Sequence, residues 1–388
     1  MNGPGDEASG AAVEGEAAAA ALDAPPFADG ETGKRGEAED VIDDPRGDEE
    51  QPGPPIRYRI RTYGADMPVD TLMKRMEDED IYVPDFQRKF IWTLAQASRF
   101  IESLLLGLPV PEIFLFKDPD TRRLLVVDGQ QRLKTLRQFF AGKFGQRDFA
   151  LRGVGEDFAG KTIRSLEPSE RRELDQFIIH ATIFEQDEPT DDRSSVYSVF
   201  ERLNTGGTPL QAQEIRSSIY EGALNELLHD FAENPHWRNV YGPSSPRRRD
   251  EELVLRFLAL LHALEEYRSP MKRFLNDFME RNRDPLPDAL ARYRSVFETT
   301  VETVDRMLGA KALRPDRPVN AAVADAVLVG TASRLERGPI ESGEEFRSAH
   351  QRLIDRLRSD ELYQSRTTHE NRLRERIRYA NEEFGPVP

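Results

Sequence analysis

Strand-type patterning in this chain stops near residue 186, and from about residue 191 onward the apolar residues recur almost entirely at helical spacing. That switch allows a mixed layer followed by helices, and it excludes an all-β fold and a regular βαβ alternation. The strand candidates are IRYRIRTY (56–63), EIFLFK (112–117), RLLVVD (123–128) and FIIHATIFEQ (177–186). The second and third are separated by DPDT, a hairpin signature. Between the strands, a short helix follows Pro68. A second begins after Thr93, a good N-cap, and stops at Gly107. A third, QQRLKTLRQFFAGKF, carries Leu133, Leu136, Phe139 and Phe140 on one side and ends near Gly142, and a polar helix starts after Pro168. FALRG (149–153) reads as a further short strand. The later helices are expected at 191–203, 211–221, 250–266, 270–282, 287–308, 319–335, 343–358 and 367–383. The fold class is therefore α+β: a mixed α/β part over 56–222 and a mostly α-helical part over 223–388.

Residues 1–55 carry 15 acidic and 3 basic side chains, or −12 of the chain's formal −16. Their apolar positions, such as Leu22, Phe27 and Ile42, are too few to offset the entropy of ordering, so the segment reads as a disordered acidic tail. The remaining 333 of the 388 residues are close to neutral. That argues against a surface basic all over, as general nucleic-acid binders have, while leaving room for a local groove. No cysteine is present, which removes disulfides, thiolate zinc sites and cysteine nucleophiles and fits a reducing, cytoplasmic setting. The richest apolar run, LVLRFLALLHAL (253–264), is interrupted by Arg256 and His262, so no membrane span is expected. The acidic start does not read as a secretory leader.

Chemistry concentrates in three segments. In LLVVDGQQRLKTL (124–136) a strand delivers Asp128, Gly129 permits a tight turn, and a helix opens on Gln130, Gln131 and Arg132. Free amides at a helix start, with a glycine that lets a ligand approach, form an anion site, and Arg132 can fork onto phosphate oxygens. Asp128 stands where a metal ligand or general base is useful. An ordinary Asp-Gly turn with Arg132 on a solvated face fits the same spacing. In VFERLNTGGTPLQAQEIRSSIY (199–220) two helices meet through NTGGTPL, where Asn204 and Thr205 can bond their own backbone and Glu214 opens the second helix; a plain capped corner fits equally. VPDFQRKFIW (83–92) holds Gln87, Arg88 and Lys89 between aromatic residues. Six histidines show no HExxH or paired zinc spacing, and no GxxxxGK[ST] loop occurs. His369-Glu370-Asn371 reads as charged surface, and Arg247-Arg248-Arg249, followed by three acids, as a helix-start charge pattern.

In this order, VPDFQRKFIW, SRFIESLLLGLPVPEIFLF, VVDGQQRLKTL and FERLNTGGTPLQAQEIR make the sequence resemble the N-terminal-domain family of GmrSD-type restriction endonucleases. That is the domain-of-unknown-function family 262, within the ParB/sulfiredoxin-like group. The resemblance covers about residues 65–220. It implies a ParB/sulfiredoxin-like α/β domain and a nucleotide-phosphate and catalytic segment in DGQQR. It also implies action in restriction of modified or foreign DNA, often with NTP hydrolysis. Carried over, the implied site is Asp128, Gly129, Gln130, Gln131 and Arg132, with Gln87, Arg88, Asn204, Thr205 and Glu214 facing it. The histidine-asparagine-histidine nuclease domain of the two-part enzymes is not found in this sequence, which speaks against autonomous DNA cutting.

The resulting expectation is a nucleotide-binding, NTP-hydrolysing module of a prokaryotic DNA-defence or DNA-processing system. Asp128, Gln131 and Arg132 are expected to carry the chemistry, and Asp128 to hold Mg2+. The rival is a non-catalytic sensor of nucleotide or nucleic-acid phosphate that docks an effector protein. Whether the chain is an enzyme stays open between the two.

Overall fold

The structure, a computed structural model, describes residues 41–42, 59–83, 90, 92–188, 194–203, 210–315, 318–363 and 367–388. Its N-terminal part is built on a five-stranded mixed sheet in the order β2-β8-β4-β5-β3. These strands are β2 (Arg59–Pro68), β3 (Ile81–Tyr82), β4 (Ile113–Lys117), β5 (Leu124–Asp128) and β8 (Ile178–Glu188). β4 and β5 form the expected antiparallel hairpin, β2 runs antiparallel to β8, and β8/β4 and β5/β3 are parallel pairs. A register shift between Phe114 and Leu115 places Phe114 opposite Asp128, at the end of β5.

Alternation along the strands sends side chains to two cores. Ile113, Leu115, Leu124, Val126, Ile179, Ala181 and Ile183 enter one. It is covered by α1 (Val69–Glu77), α2 (Leu94–Leu105), α3 (Gln130–Ala141) and α4 (Pro168–Gln176). Phe116, Leu125, Val127 and Phe184 enter the other. That second core runs without a break through the helices that follow, from Val196 to Val387. The sheet is thus a middle layer, buried on both faces.

Local signals explain the helix ends. Thr93 caps α2 in a full capping box with Gln96, and Pro168 occupies the first turn of α4. Gly142, at φ 72°, closes α3 in the left-handed region, which a residue with a Cβ adopts only at a cost. The helical part comprises α5 (Ser194–Leu203), α6 (Ala212–Ile219), α7 (Ala223–Ala232), α8 (Pro235–Tyr241), α9 (Arg249–Ala263), α10 (Met271–Arg281), α11 (Pro287–Leu308), α12 (Ala321–Leu335), α13 (Gly343–Ser359) and α14 (Glu370–Phe384). None of the described helices is long and apolar enough to cross a membrane.

Three features depart from the sequence reading. FALRG is not a strand. Hydrogen-bonded pairing falls earlier, in the small hairpin β6 (Lys143–Phe144) and β7 (Arg147–Asp148), while Phe149 and Leu151 are buried in irregular chain. Helices α7 and α8 were not singled out by apolar spacing; α8 starts at Asn234, whose side chain accepts the amides of His236 and Trp237. Within the segment expected to be a disordered acidic tail, Val41–Ile42 form a strand, β1, paired in parallel with β9 (Val319–Asn320). The rest of residues 1–55 lies outside the described residues.

Candidate functional site

Asp128 ends β5 and Gly129 turns the chain at φ 97° and ψ 7°. That left-handed backbone favours glycine, and β4 enforces the choice a second time. A Cβ on Gly129 would lie 2.5 Å from Ile113 Cγ2 and 3.2 Å from Arg132 Nη2. Helix α3 then opens with no side chain capping its first turn, leaving backbone amides directed out of the sheet end. Leu133 and Leu136 are fully buried, and they hold this turn against the sheet.

Arg132 folds back across the turn. Its Nη2 donates to Asp128 Oδ2 at 2.8 Å and to the Glu112 carbonyl at 3.0 Å. Arg132 is only 8 % exposed, and its Nε has no hydrogen-bond partner among the described residues. A guanidinium so buried, with one donor unused, is costly unless an acceptor reaches it. Asp128 is different: 44 % of its side chain faces solvent. Gln131 is buried beside Arg132, and Gln130 accepts from Lys134 Nζ at 3.2 Å.

The structure therefore brings Asp128, Gly129, Gln130, Gln131 and Arg132 together at one sheet end. The separate roles read for Asp128 and Arg132 meet an added fact, since each is the other's partner. Glu214 sits elsewhere in the hydrogen-bond network. It is the third residue of α6, buried, and its Oε2 accepts from the Gln211 amide at 2.7 Å and from Arg247 Nε at 3.1 Å. The neighbouring Arg216 is 1 % exposed and donates to Gln213, Glu252 and Asn276, tying α6 to α9 and α10. Gln87, Arg88, Asn204 and Thr205 lie outside the described residues.

Residues 69–221 match the family model described as GmrSD restriction endonuclease, N-terminal domain. That segment is a GmrSD-type N-terminal domain. No curated protein matches the chain. In this chain the GmrSD-type domain spans α1 through α6 and contains the whole Asp128–Arg132 turn. It leaves out most of β2, and with it the antiparallel neighbour of β8.

The GmrSD-type domain contributes further polar groups that sequence reading did not single out. Thr182 Oγ1, on β8, donates to Glu112 Oε2 at 2.8 Å. His180, two residues earlier, has Nδ1 2.6 Å from Oδ1 of Asp66 on β2. These partners lie 70 and 114 residues apart in sequence, so no local motif announces them. The only available signal is strand alternation, which puts His180 and Thr182 on the same side of β8.

Among the described residues, no group of three or more His, Asp or Glu side chains is placed to hold a metal ion. Magnesium does not need such a cage; it binds through one or two carboxylates completed by water and phosphate oxygens. The exposed Asp128 carboxylate fits that requirement.

Proposed function

We propose that this chain is a nucleotide-binding, NTP-hydrolysing module of a prokaryotic DNA restriction or defence system. Arg132 carries the reading: it is nine-tenths buried, has an unused Nε, and stands at an uncapped helix start behind a glycine that β4 approaches closely. Amides at a helix start and a guanidinium are the donors that phosphate oxygens require. A bound phosphate takes over part of the Arg132 charge now directed at Asp128. Gln131 extends the polar surface beside it. Asp128 would hold Mg2+, which neutralises phosphate charge when bound. Phosphoryl transfer depends mainly on positioning and charge stabilisation, so such a set of groups is adequate in kind. The GmrSD-type domain supports DNA as the macromolecular partner and a nuclease or other effector as the protein partner.

One observation favours a second reading, a sensor that binds phosphate without hydrolysis. The Asp128 carboxylate is engaged by Arg132 at 2.8 Å and is to that extent withheld from metal or water. Calorimetric titration with several NTPs, alongside phosphate release with magnesium and with or without DNA, tests both readings. Binding with turnover supports the hydrolase, and binding without turnover supports the sensor. Absence of binding to every NTP overturns both as they apply to nucleotides.

A further inference from the structure

We propose that His180 and Asp66 form the water-activating dyad of this site, with His180 as general base and Asp66 as its positioning residue. The proposal rests on the reading of the Asp128–Arg132 turn as an NTP site. Asp66 and His180 are direct cross-strand partners in the β2/β8 register. A carboxylate only accepts hydrogen bonds, so the 2.6 Å contact fixes the proton on Nδ1 and leaves the Nε2 lone pair as the proton acceptor. No group among the described residues bonds Nε2, and 66 % of the imidazole side chain is open to solvent.

Position links the dyad to the turn. Thr182 and His180 lie on one side of β8, about 7 Å apart along the strand. Thr182 bonds the Glu112 carboxylate, and the Glu112 carbonyl holds Arg132. Asp128, Arg132, Glu112, Thr182, His180 and Asp66 thus form a polar row across β5, β4, β8 and β2, with the dyad at its far end. The other side of β8 is spent on core through Ile179, Ala181 and Ile183, so His180 is not needed for packing. A pair this exposed contributes little to stability, which leaves catalysis as the role that its geometry suits.

In the step itself, water oxygen bonds to the terminal phosphorus while the bridging phosphorus-oxygen bond breaks, and the leaving diphosphate keeps that electron pair. The water proton passes to His180 Nε2. Asp66 balances the imidazolium, which then returns the proton to solvent. The products are nucleoside diphosphate and inorganic phosphate.

The test compares wild type, His180→Ala and Asp66→Asn at saturating NTP and magnesium, reading kcat, nucleotide Kd and melting midpoint, with and without added imidazole. The expected result for His180→Ala is a loss in kcat on the order of 100-fold. Its Kd stays within about twofold of wild type, its midpoint barely moves, and free imidazole restores part of the rate. Asp66→Asn loses kcat to a lesser degree and is not rescued. An unchanged kcat in His180→Ala overturns the proposal, as does a loss that tracks Kd and midpoint without imidazole rescue. Wild type that binds NTP but does not turn it over overturns the dyad alone; wild type that binds none removes the nucleotide reading and the dyad together.

Discussion

Arg256 and Asp325 form a doubly hydrogen-bonded ion pair inside the helical part, Nε to Oδ1 at 3.0 Å and Nη2 to Oδ2 at 2.6 Å, with both side chains 1 % exposed. Arg376 Nη2 reaches the same Oδ2 at 2.7 Å, so one carboxylate joins α9, α12 and α14. Burial pushes the Arg376 guanidinium down from its ordinary range, Asp325 opposes that shift, and Arg256 adds to it. Removing the carboxylate leaves two uncompensated buried cations. Asp325→Ala is expected to cost about 3–5 kcal/mol, enough to lower the melting midpoint by many degrees or to prevent folding. Arg376→Met, which removes the surplus cation and keeps the Arg256 pair, is expected to cost much less. Denaturant titration of both variants checks the order.

Gly129→Ala tests the turn. The substitution combines a positive-φ penalty with a Cβ 2.5 Å from Ile113, and β4 can yield only by moving its buried face. A loss of about 2 kcal/mol or more in stability is expected, together with weaker nucleotide binding. Gly145→Ala is the control: its φ is also positive, at 59°, but nothing lies within 4 Å of the added carbon. It should lose stability by the smaller amount and leave nucleotide titrations unaltered.

Arg132→Ala should lower nucleotide affinity roughly tenfold or more, matching the 1.5–3 kcal/mol of a charge-assisted hydrogen bond. Asp128→Asn separates binding from chemistry. It removes the negative charge that competes with phosphate for Arg132, so metal-free affinity should hold or rise while magnesium-dependent phosphate release falls. Calorimetry of both variants with and without magnesium reads the difference. Equal affinity in wild type and Arg132→Ala would sink the phosphate pocket.

His350 supplies a pH dependence. Burial pushes its imidazole below the ordinary histidine range, against the opposing hydrogen bond from Nε2 to the Ala312 carbonyl at 2.9 Å. The unfolded chain therefore takes up this proton more readily than the folded one. Stability from His350 is present above its unfolded pKa of about 6.5 and declines as pH falls through that value toward the lower folded one. His350→Gln, which keeps a donor without a titrating ring, should make the unfolding free energy between pH 7 and 5 less steep than in wild type.

The acidic N-terminal segment was expected to be dispensable for folding, and the β1/β9 pairing refines that expectation. Deleting residues 1–40 should leave the melting midpoint almost unchanged. Deleting 1–55 also removes Val41 and Ile42 from their parallel contact with Val319 and Asn320, and should cost a small but measurable shift. Equal midpoints for both deletions would show that the two-residue strand adds nothing.

Some of the fold could be read residue by residue because its signals are local. Helix α11 runs from Pro287 to Leu308 as its proline start and Gly309 stop imply, and Thr93 caps α2 as its spacing suggests. The candidate turn was equally local, since strand, Asp-Gly and helix are consecutive. What stayed hidden is long-range. The four-residue spacing of Asp128 and Arg132 permits their ion pair, but only the helix start shows them joined. Asp66–His180 and Arg216–Asn276 pairings depend on which strands and helices become neighbours, and no periodicity reports that. FALRG misled because Phe149 and Leu151 alternate like a strand while being buried by irregular backbone.

The continuity of the second core has a consequence for synthesis. Phe116, Leu125 and Val127 leave the ribosome well before the helices that will cover them, for Val196 and Phe200 follow about seventy residues later and the remainder later still. Until then, the GmrSD-type sheet has one sealed face and one oily face. A nascent chain in that condition is a natural client for chaperones that shield apolar surface, and a translation arrest shortly after residue 188 would leave it prone to aggregation.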